Sequence, residues 1–395
     1  MLKAMDSAVA GLRAHQNKLD VIGNNIANVN TNGYKAQNYT FKDSLYTTAA
    51  SSSGGQATNG SATVGGINAS QYGYGSMTGV ISTDMSSTTP SYVGGFNASI
   101  NGAGFFVTKS TNIQLNFASP KEDGSDVASV AAENSSLMKN SQFSFTRVGQ
   151  FSIDANGYIV DANQNFVYGY QPAEKDDVTG TITTTKKGTD GTATTTTTKT
   201  TQKDKNADIT NPEAYDMGHL TPLRAPHSVK FDADNVNSTA LRTWSFGKYG
   251  EPNQGYSDPL TTDKDGAVDN TALQMKSISI DDSGIVKGIL QNDQGNPVTI
   301  VLGKVAIATF QNPEGLTKAG NNTFQTSNVD NSGTVTTDAP GGATSTLMAG
   351  YLEGSNVDLA KEFSDMITTE RGFQANSKLI TVSDEVLQEL VNMKR

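Results

Sequence analysis

Residues 19–35 read LDVIGNNIANVNTNGYK. The first half of this stretch continues a helical pattern and the second half ends it. Running back toward the start of the chain, Met5, Ala8, Leu12, Leu19, Ile22 and Ile26 recur in steps of three, four and seven, with His15 in the one missing place. That is a heptad seam of about 3.5 residues per turn. The Asn-rich run from Asn28 to Gly33 stops it, because Asn-Gly does not propagate a helix. Gly33 is expected at positive φ, where it would let the chain reverse out of the helix.

The other end of the chain carries a similar pattern. Leu359, Phe363, Met366, Phe373, Ile380 and Leu387 step by threes, fours and sevens, and Leu379, Val386 and Leu390 widen the stripe. This predicts a helix over residues 358–393. Ser355 and Asn356 suit its N-cap, with Asp358 on the positive helix end. A long helix with a narrow apolar stripe cannot bury that stripe alone, and the simplest partner is the helix at the opposite terminus. Two such helices leave apolar surface over. Either other chains cover it, or the pair is an ordinary hairpin capping a globular domain; the pattern fits both.

Between the helices the period falls to two. Phe143, Phe145, Phe151 and Ile153 flank a turn at 147–150, and Asn156-Gly157 is a strong hairpin signal. SIDANGYIV at 152–160 is echoed by SIDDSGIV at 279–286, read as two similar hairpins rather than a repeat. Residues 298–310 form another β-branched run. Residues 49–69 are Ser-, Gly-, Ala- and Thr-rich without a period. Residues 179–201 are dominated by Thr, which suits a solvent-facing hairpin and a disordered loop equally.

Composition narrows the function. The 395 residues carry 29 Lys+Arg against 39 Asp+Glu, a net charge of -10, which argues against a nucleic-acid partner. Cysteine is absent, so disulfides, thiol nucleophiles and thiolate metal sites are excluded. The three histidines, His15, His219 and His227, are too few and too scattered for a His-built metal centre. No apolar run is long enough to predict membrane insertion. Lys3, Asp6 and Ser7 interrupt the start where a secretory signal would be apolar, so the chain is expected to stay inside or to leave without a cleaved signal.

No motif for catalysis emerges. Gly102 and Gly104 in NGAGFF give a fragment of a dinucleotide fingerprint, but Val107 replaces the third glycine and no helix is expected after it, so a strand–turn–strand is expected. Asp263, Asp265 and Gly266 make half a calcium loop, with Thr261 and Ala272 where the outer ligands belong. Pro222 and Pro226 keep His219 and His227 off any shared helix face. His15 is expected as a hydrogen-bonded interface residue, and Asp281-Asp282 as turn residues. No catalytic, cofactor or metal site is expected. A secreted β-rich carbohydrate-binding protein or enzyme and an intracellular regulatory coiled coil are the readings from other classes. The first leaves both terminal heptads unexplained, and the second leaves the β-rich middle.

Residues 19–35, and within them the cluster Asn24, Asn25, Ile26, Ala27, Asn28, resemble the N-terminal signature of the bacterial flagellar rod and hook family. INGAGFFV (100–107), FTRVGQFSIDANGYIV (145–160), VAIATFQNPEGL (305–316) and GYLEGSNVDLAKEFSDMITTERGFQANSKLI (350–380) are similar to further motifs of that family, in family order. The resemblance implies an α+β chain whose two ends form a terminal coiled-coil domain, residues 1–30 with 357–395. An extended linker over 31–90 would come next, then an inner β domain of 91–170 with 272–356 and an outer inserted β domain of 171–271. The size of that insert points to the hook branch, with a long distal-rod protein as the alternative. A second insertion, 110–140, separates motifs that usually lie closer.

The same resemblance, and nothing in the residue pattern itself, implies a function. It implies a self-assembling curved tube that transmits motor torque, with the helices as inner core, and export through the flagellar type III route without a cleaved signal. Distal rod, hook cap, hook–filament junction and export-apparatus proteins are the implied partners. Leu12, Leu19, Ile22, Asn24, Asn25, Ile26 and Asn28 would then share the assembly interface with Leu359, Phe363, Met366, Phe373, Leu379, Ile380 and Leu387, and Gly33 would be the linker turn.

Overall fold

The computed structural model describes residues 2–54, 56–58, 61–110, 115–116, 139, 143–154, 157–170, 179–187, 193–201, 215, 219–225, 228–231, 241–244, 272–291, 297–327, 330–341 and 345–393. The chain is α+β. A helix at each end, α1 (Leu2–Ala27) and α2 (Leu359–Met393), encloses a long succession of strands. Two compact units result: residues 1–86 with 355–395, and residues 87–354.

In the first unit α1 and α2 pack antiparallel. Asn25 meets Glu362, Lys18 lies 3.9 Å from Asp365, and a side chain added to Gly372 would meet His15. Residues 37–83, expected as an extended linker, pair with one another instead. Gln37–Asp43 runs antiparallel to Ser76–Thr83, Tyr46–Ala50 to Ser70–Gly73, and Gln56–Thr58 to Ser61–Val64. The ribbon has no buried apolar face of its own to announce it; along residues 37–43 only Gln37 and Tyr39 are half-buried and the rest are exposed. It gains its cover from α1. The Phe41 ring lies 5.1 Å from His15 and beneath the Lys18 ammonium, and the Asn17 amide donates to Thr78 Oγ1 at 3.1 Å.

The second unit is an antiparallel β assembly. Its longest path runs Leu241–Trp244, Ser228–Phe231, Ala272–Ile280, Ile285–Gln291, Pro297–Val305, Phe166–Tyr170, Phe105–Lys109, Ser144–Thr146, Thr323–Gln325, Thr317–Gly320. Strands from inside 171–271 therefore hydrogen-bond into the same sheet: His219–Pro222 pairs with Phe166–Tyr170, and Ser228–Phe231 with Ala272–Ile280. Among the described residues Thr179–Lys187 and Ala193–Thr201 pair only with each other, the hairpin alternative for the Thr-rich segment. Its main apolar cluster includes Ile100, Phe106, Val167, Leu223, Val286, Ile300 and Ile307, each 1% exposed or less.

Two sequence motifs acquire a physical reason here. Arg147 of FTRVG is 3% exposed and forks onto Glu353 of GYLEG, with Nε to Oε2 at 2.8 Å and Nη2 to Oε1 at 3.2 Å. Its Nη1 donates to the Gly102 and Gly104 carbonyls, and Glu353, 1% exposed, also accepts from the Thr88 amide. One guanidinium thus ties three distant motifs, and its geometry is the bidentate one that makes a buried pair sustainable. NGAGFF is a strand–turn–strand, as expected. Gly149 is fixed by space: a Cβ there would collide with the Ala98 carbonyl.

The echoed hairpins share one turn. In each, an Asp amide and the Asp carboxylate bind the residue four on, Asp154 with Tyr158 and Asp281 with Ile285. Asp161 and Asn165 repeat the pattern a third time. The likeness is thus local turn chemistry, in which an Asp side chain substitutes for a backbone acceptor. Asp281 also pairs with Lys287 at 2.8 Å, and Asp282 accepts from the Ala349 amide. The half calcium loop at 261–266 and His227 lie outside the described residues. Among those residues no group of three or more His, Asp or Glu comes together, and no helix is long and apolar enough to cross a membrane.

Candidate assembly interface

The helix pair is not sealed by the stripe its sequence displays. The buried positions of α2 are Glu362, Thr369 and Ser383. Asn376 completes this heptad row and sits where a side chain on Gly11 would strike it. The row is polar or small, and its hydroxyls are already satisfied. Thr369 Oγ1 donates to the Asp365 carbonyl at 2.6 Å, and Ser383 Oγ to the Leu379 carbonyl at 2.7 Å. Hydroxyls bonded to their own helix need nothing from the partner, so α1 can approach Thr369 and Ser383 without stranding a hydroxyl.

On α1 the buried positions are Ala8, Gly11, Ala14, Ile22 and Asn25. Expected seam residues Leu12, Leu19 and Ile26 fall one place off and are half-buried, while Asn24 is exposed and Asn28 half-buried. His15, expected as a hydrogen-bonded interface residue, occupies its seam position, but its Nδ1 is buried and unpartnered, and the ring packs over Gly372 and against Phe41. Burial, then the Lys18 ammonium, holds its pKa below the ordinary imidazole value.

Much of the apolar surface of α2 is consequently left exposed. Phe363 is 50% exposed, Ile367 58% and Leu379 56%; Leu359, Val382, Val386, Leu390 and Val391 are exposed as well. Met366, Phe373, Ile380 and Leu387 are half-buried along its edge. Burial of such surface is worth roughly 25 cal/mol per Å², and a contiguous exposed stripe marks a partner surface.

At the closed end of the hairpin the Asn-rich signature becomes a knot. Asn25, 1% exposed, uses its whole amide: Nδ2 donates to the Gln37 carbonyl and Glu362 Oε1, and Oδ1 accepts from the Gln37 amide and the Tyr34 hydroxyl. Asn28 bonds back to Asn24 and receives Thr31 Oγ1, closing the last turn. Gly33 has φ +70°, a region Cβ-bearing residues resist.

The chain after the turn is then pinned. Asn356 accepts from the Ala36 amide and donates to the Asp84 carbonyl, and Lys35 Nζ donates to the Ser86 carbonyl at 2.6 Å. Asn356 is therefore a clip, in contrast to the N-cap expected of it. The cap is Asp358, whose Oδ1 accepts from the Ala360 amide at 2.9 Å. Neither Glu362 nor Tyr34 stands out in the sequence.

This helical knot at one end and the helix at the other are the two segments that match known family models. Residues 5–35 match the flagella basal body rod protein model, and residues 348–393 match the flagellar basal body rod FlgEFG protein C-terminal model. Across its whole length the chain is 31% identical to a flagellar basal-body rod protein FlgG of Bacillus subtilis, covering 100% of both chains. It is 29% identical to a flagellar hook protein FlgE of Borreliella burgdorferi, again over 100% of both, and 27% identical to that of Escherichia coli over 99% and 100%. The chain belongs to the flagellar rod and hook protein family. It is a structural protein of the bacterial flagellum, of a family whose members build homopolymeric structures.

Proposed function

We propose that this chain is the hook subunit: it polymerises with copies of itself into a curved helical tube that joins motor rod to filament and transmits torque. The observation that carries this reading is the exposed apolar surface of α2 beside an internal seam that is built from polar and small residues. Such a stripe gives each subunit a surface with no use inside its own chain. Repetition of a head-to-tail contact that does not close yields a filament. The interface residues named from sequence divide accordingly. Phe363 and Leu379 are the intersubunit contacts, with Leu359, Met366, Phe373, Ile380 and Leu387 alongside. Asn25 and Ile22 hold the hairpin, and Leu12, Leu19 and Ile26 lie at its edge. The subunit reaches its site through the flagellar export apparatus without a cleaved signal, and meets distal rod, cap and junction proteins at the ends of the tube.

Electron microscopy of the purified protein at high concentration tests the polymer: tubes support it, and monodisperse particles under all conditions contradict it. A distal-rod role is the second reading, favoured by the full-length rod relative. A deletion strain separates the two. Rods without hooks support the hook assignment, and truncated rods support the other.

A further inference from the structure

The hairpin contains one group that works against it. Glu362 is 6% exposed, lies on the buried row of α2 facing α1, and accepts a single hydrogen bond, from Asn25 Nδ2 at 3.1 Å. No cation lies within ion-pair distance of it among the described residues. The nearby charges are Lys361 and Asp365 on its own helix and Lys18 on α1, and the Tyr34 phenol faces it from the turn beyond α1. Lys18 is engaged with Asp365 instead. The contrast within the same chain is Glu353, equally buried but gripped by a bidentate guanidinium. A carboxylate removed from water with one neutral donor is poorly compensated.

We propose that Glu362 is a release device: in its ionised form it weakens the pairing of α1 with α2 in the lone subunit, so that the helices can exchange partners on assembly. The weakening of the hairpin stands on the local geometry; the exchange of partners rests on the polymer reading above. Burial first, and then the nearby Asp365 carboxylate, raise the Glu362 pKa above the ordinary carboxyl value against the lowering by the Asn25 bond and the two lysines. A carboxyl raised in the folded state takes up a proton on folding. Its contribution to hairpin stability is therefore full below the ordinary carboxyl range and is lost as pH rises through the folded value. His15, lowered on folding, acts in the opposite sense, its contribution being lost as pH falls through and below the ordinary imidazole value.

The test compares wild type with Glu362→Gln, which keeps an acceptor for Asn25 and removes the charge. Hydrogen exchange at the α1 amides of the full-length monomer is corrected for intrinsic rates from pH 7.5 to 5. His15 is common to both proteins and cancels in the difference. Expected is about tenfold greater protection in Glu362→Gln at pH 7.5, the order of relieving one poorly paired buried charge, with the gap closing as pH falls. Equal protection at every pH overturns the proposal. So does weaker protection in Glu362→Gln, which would show that the ionised carboxylate holds the hairpin. Glu362→Met guards against a defect peculiar to glutamine: it too must exceed wild type at pH 7.5. Polymer yield is scored separately, so a failure to form tubes would count against the hook reading without touching the hairpin result.

Discussion

The two units of this chain solve burial in opposite ways. The unit of residues 87–354 hides its apolar side chains around Phe106, Ile100 and Val286, and it neutralises its buried arginine with Glu353. The unit built on the chain ends does the reverse. It buries Glu362, Thr369, Ser383 and Asn25 and leaves Phe363, Ile367 and Leu379 in water. The first arrangement is self-sufficient. The second makes sense for a protein whose hydrophobic term is collected only when further copies arrive. A lone subunit of the flagellar family should therefore be stable in its middle and unfinished at its ends.

The sharpest way to break this contrast is at the Arg147–Glu353 clamp. Arg147→Met leaves a buried carboxylate without its partner and should cost about 3–5 kcal/mol, visible as a large fall in the thermal midpoint of the β unit. A midpoint within a degree or two of wild type would show that the clamp does not hold the unit together. The converse variant, Phe363→Ser with Leu379→Ser, should leave the monomer's melting unchanged and abolish tube formation, since both side chains are exposed in the lone subunit. Loss of monomer stability would place the stripe inside the fold.

A smaller effect is expected at the turn. Gly33→Val forces a β-branched residue to positive φ at roughly 1–2 kcal/mol and should reduce assembly more than Ala10→Val does. Smallest of all should be removal of residues 179–201, whose described strands pair only with each other. Shortening a connection changes closure entropy slowly. Motile cells with normal hooks are the expected outcome, and absent hooks would give the segment a structural role.

The reach of sequence reasoning divides along the same line. Both helices are legible because heptad spacing is local, and so is Gly33, because Asn-Gly chemistry is local. The Asp281 turn and the NGAGFF strand–turn–strand are legible for that reason too. Which face of α2 turns inward is not. Apolar residues usually mark the buried side, and here Glu362, Thr369, Asn376 and Ser383, seven residues apart, take it; the Thr369 and Ser383 hydroxyls bond to their own helix, and Glu362 is bonded by Asn25 of the partner helix. The ribbon at 37–83 escapes notice because its cover comes from α1 and not from alternation within it. Arg147 and Glu353 stand 206 positions apart, and no periodicity joins them. The site is half legible: Asn25 and Ile22 belong to the knot and its seam, but Glu362 reads as surface charge.

The central claim is that the terminal helices are incompletely buried until neighbouring subunits cover them. Hydrogen exchange on full-length monomer and on assembled tubes measures this directly, at amides over residues 363–390 with residues 98–109 as internal reference. The account predicts fast exchange over 363–390 in the monomer and slow exchange over 98–109. In the tube, protection over 363–390 should rise at least a hundredfold, the scale of burying a few large apolar side chains at about 1.5–3 kcal/mol each. Slow exchange over 363–390 already present in the monomer, and unchanged on assembly, would contradict it.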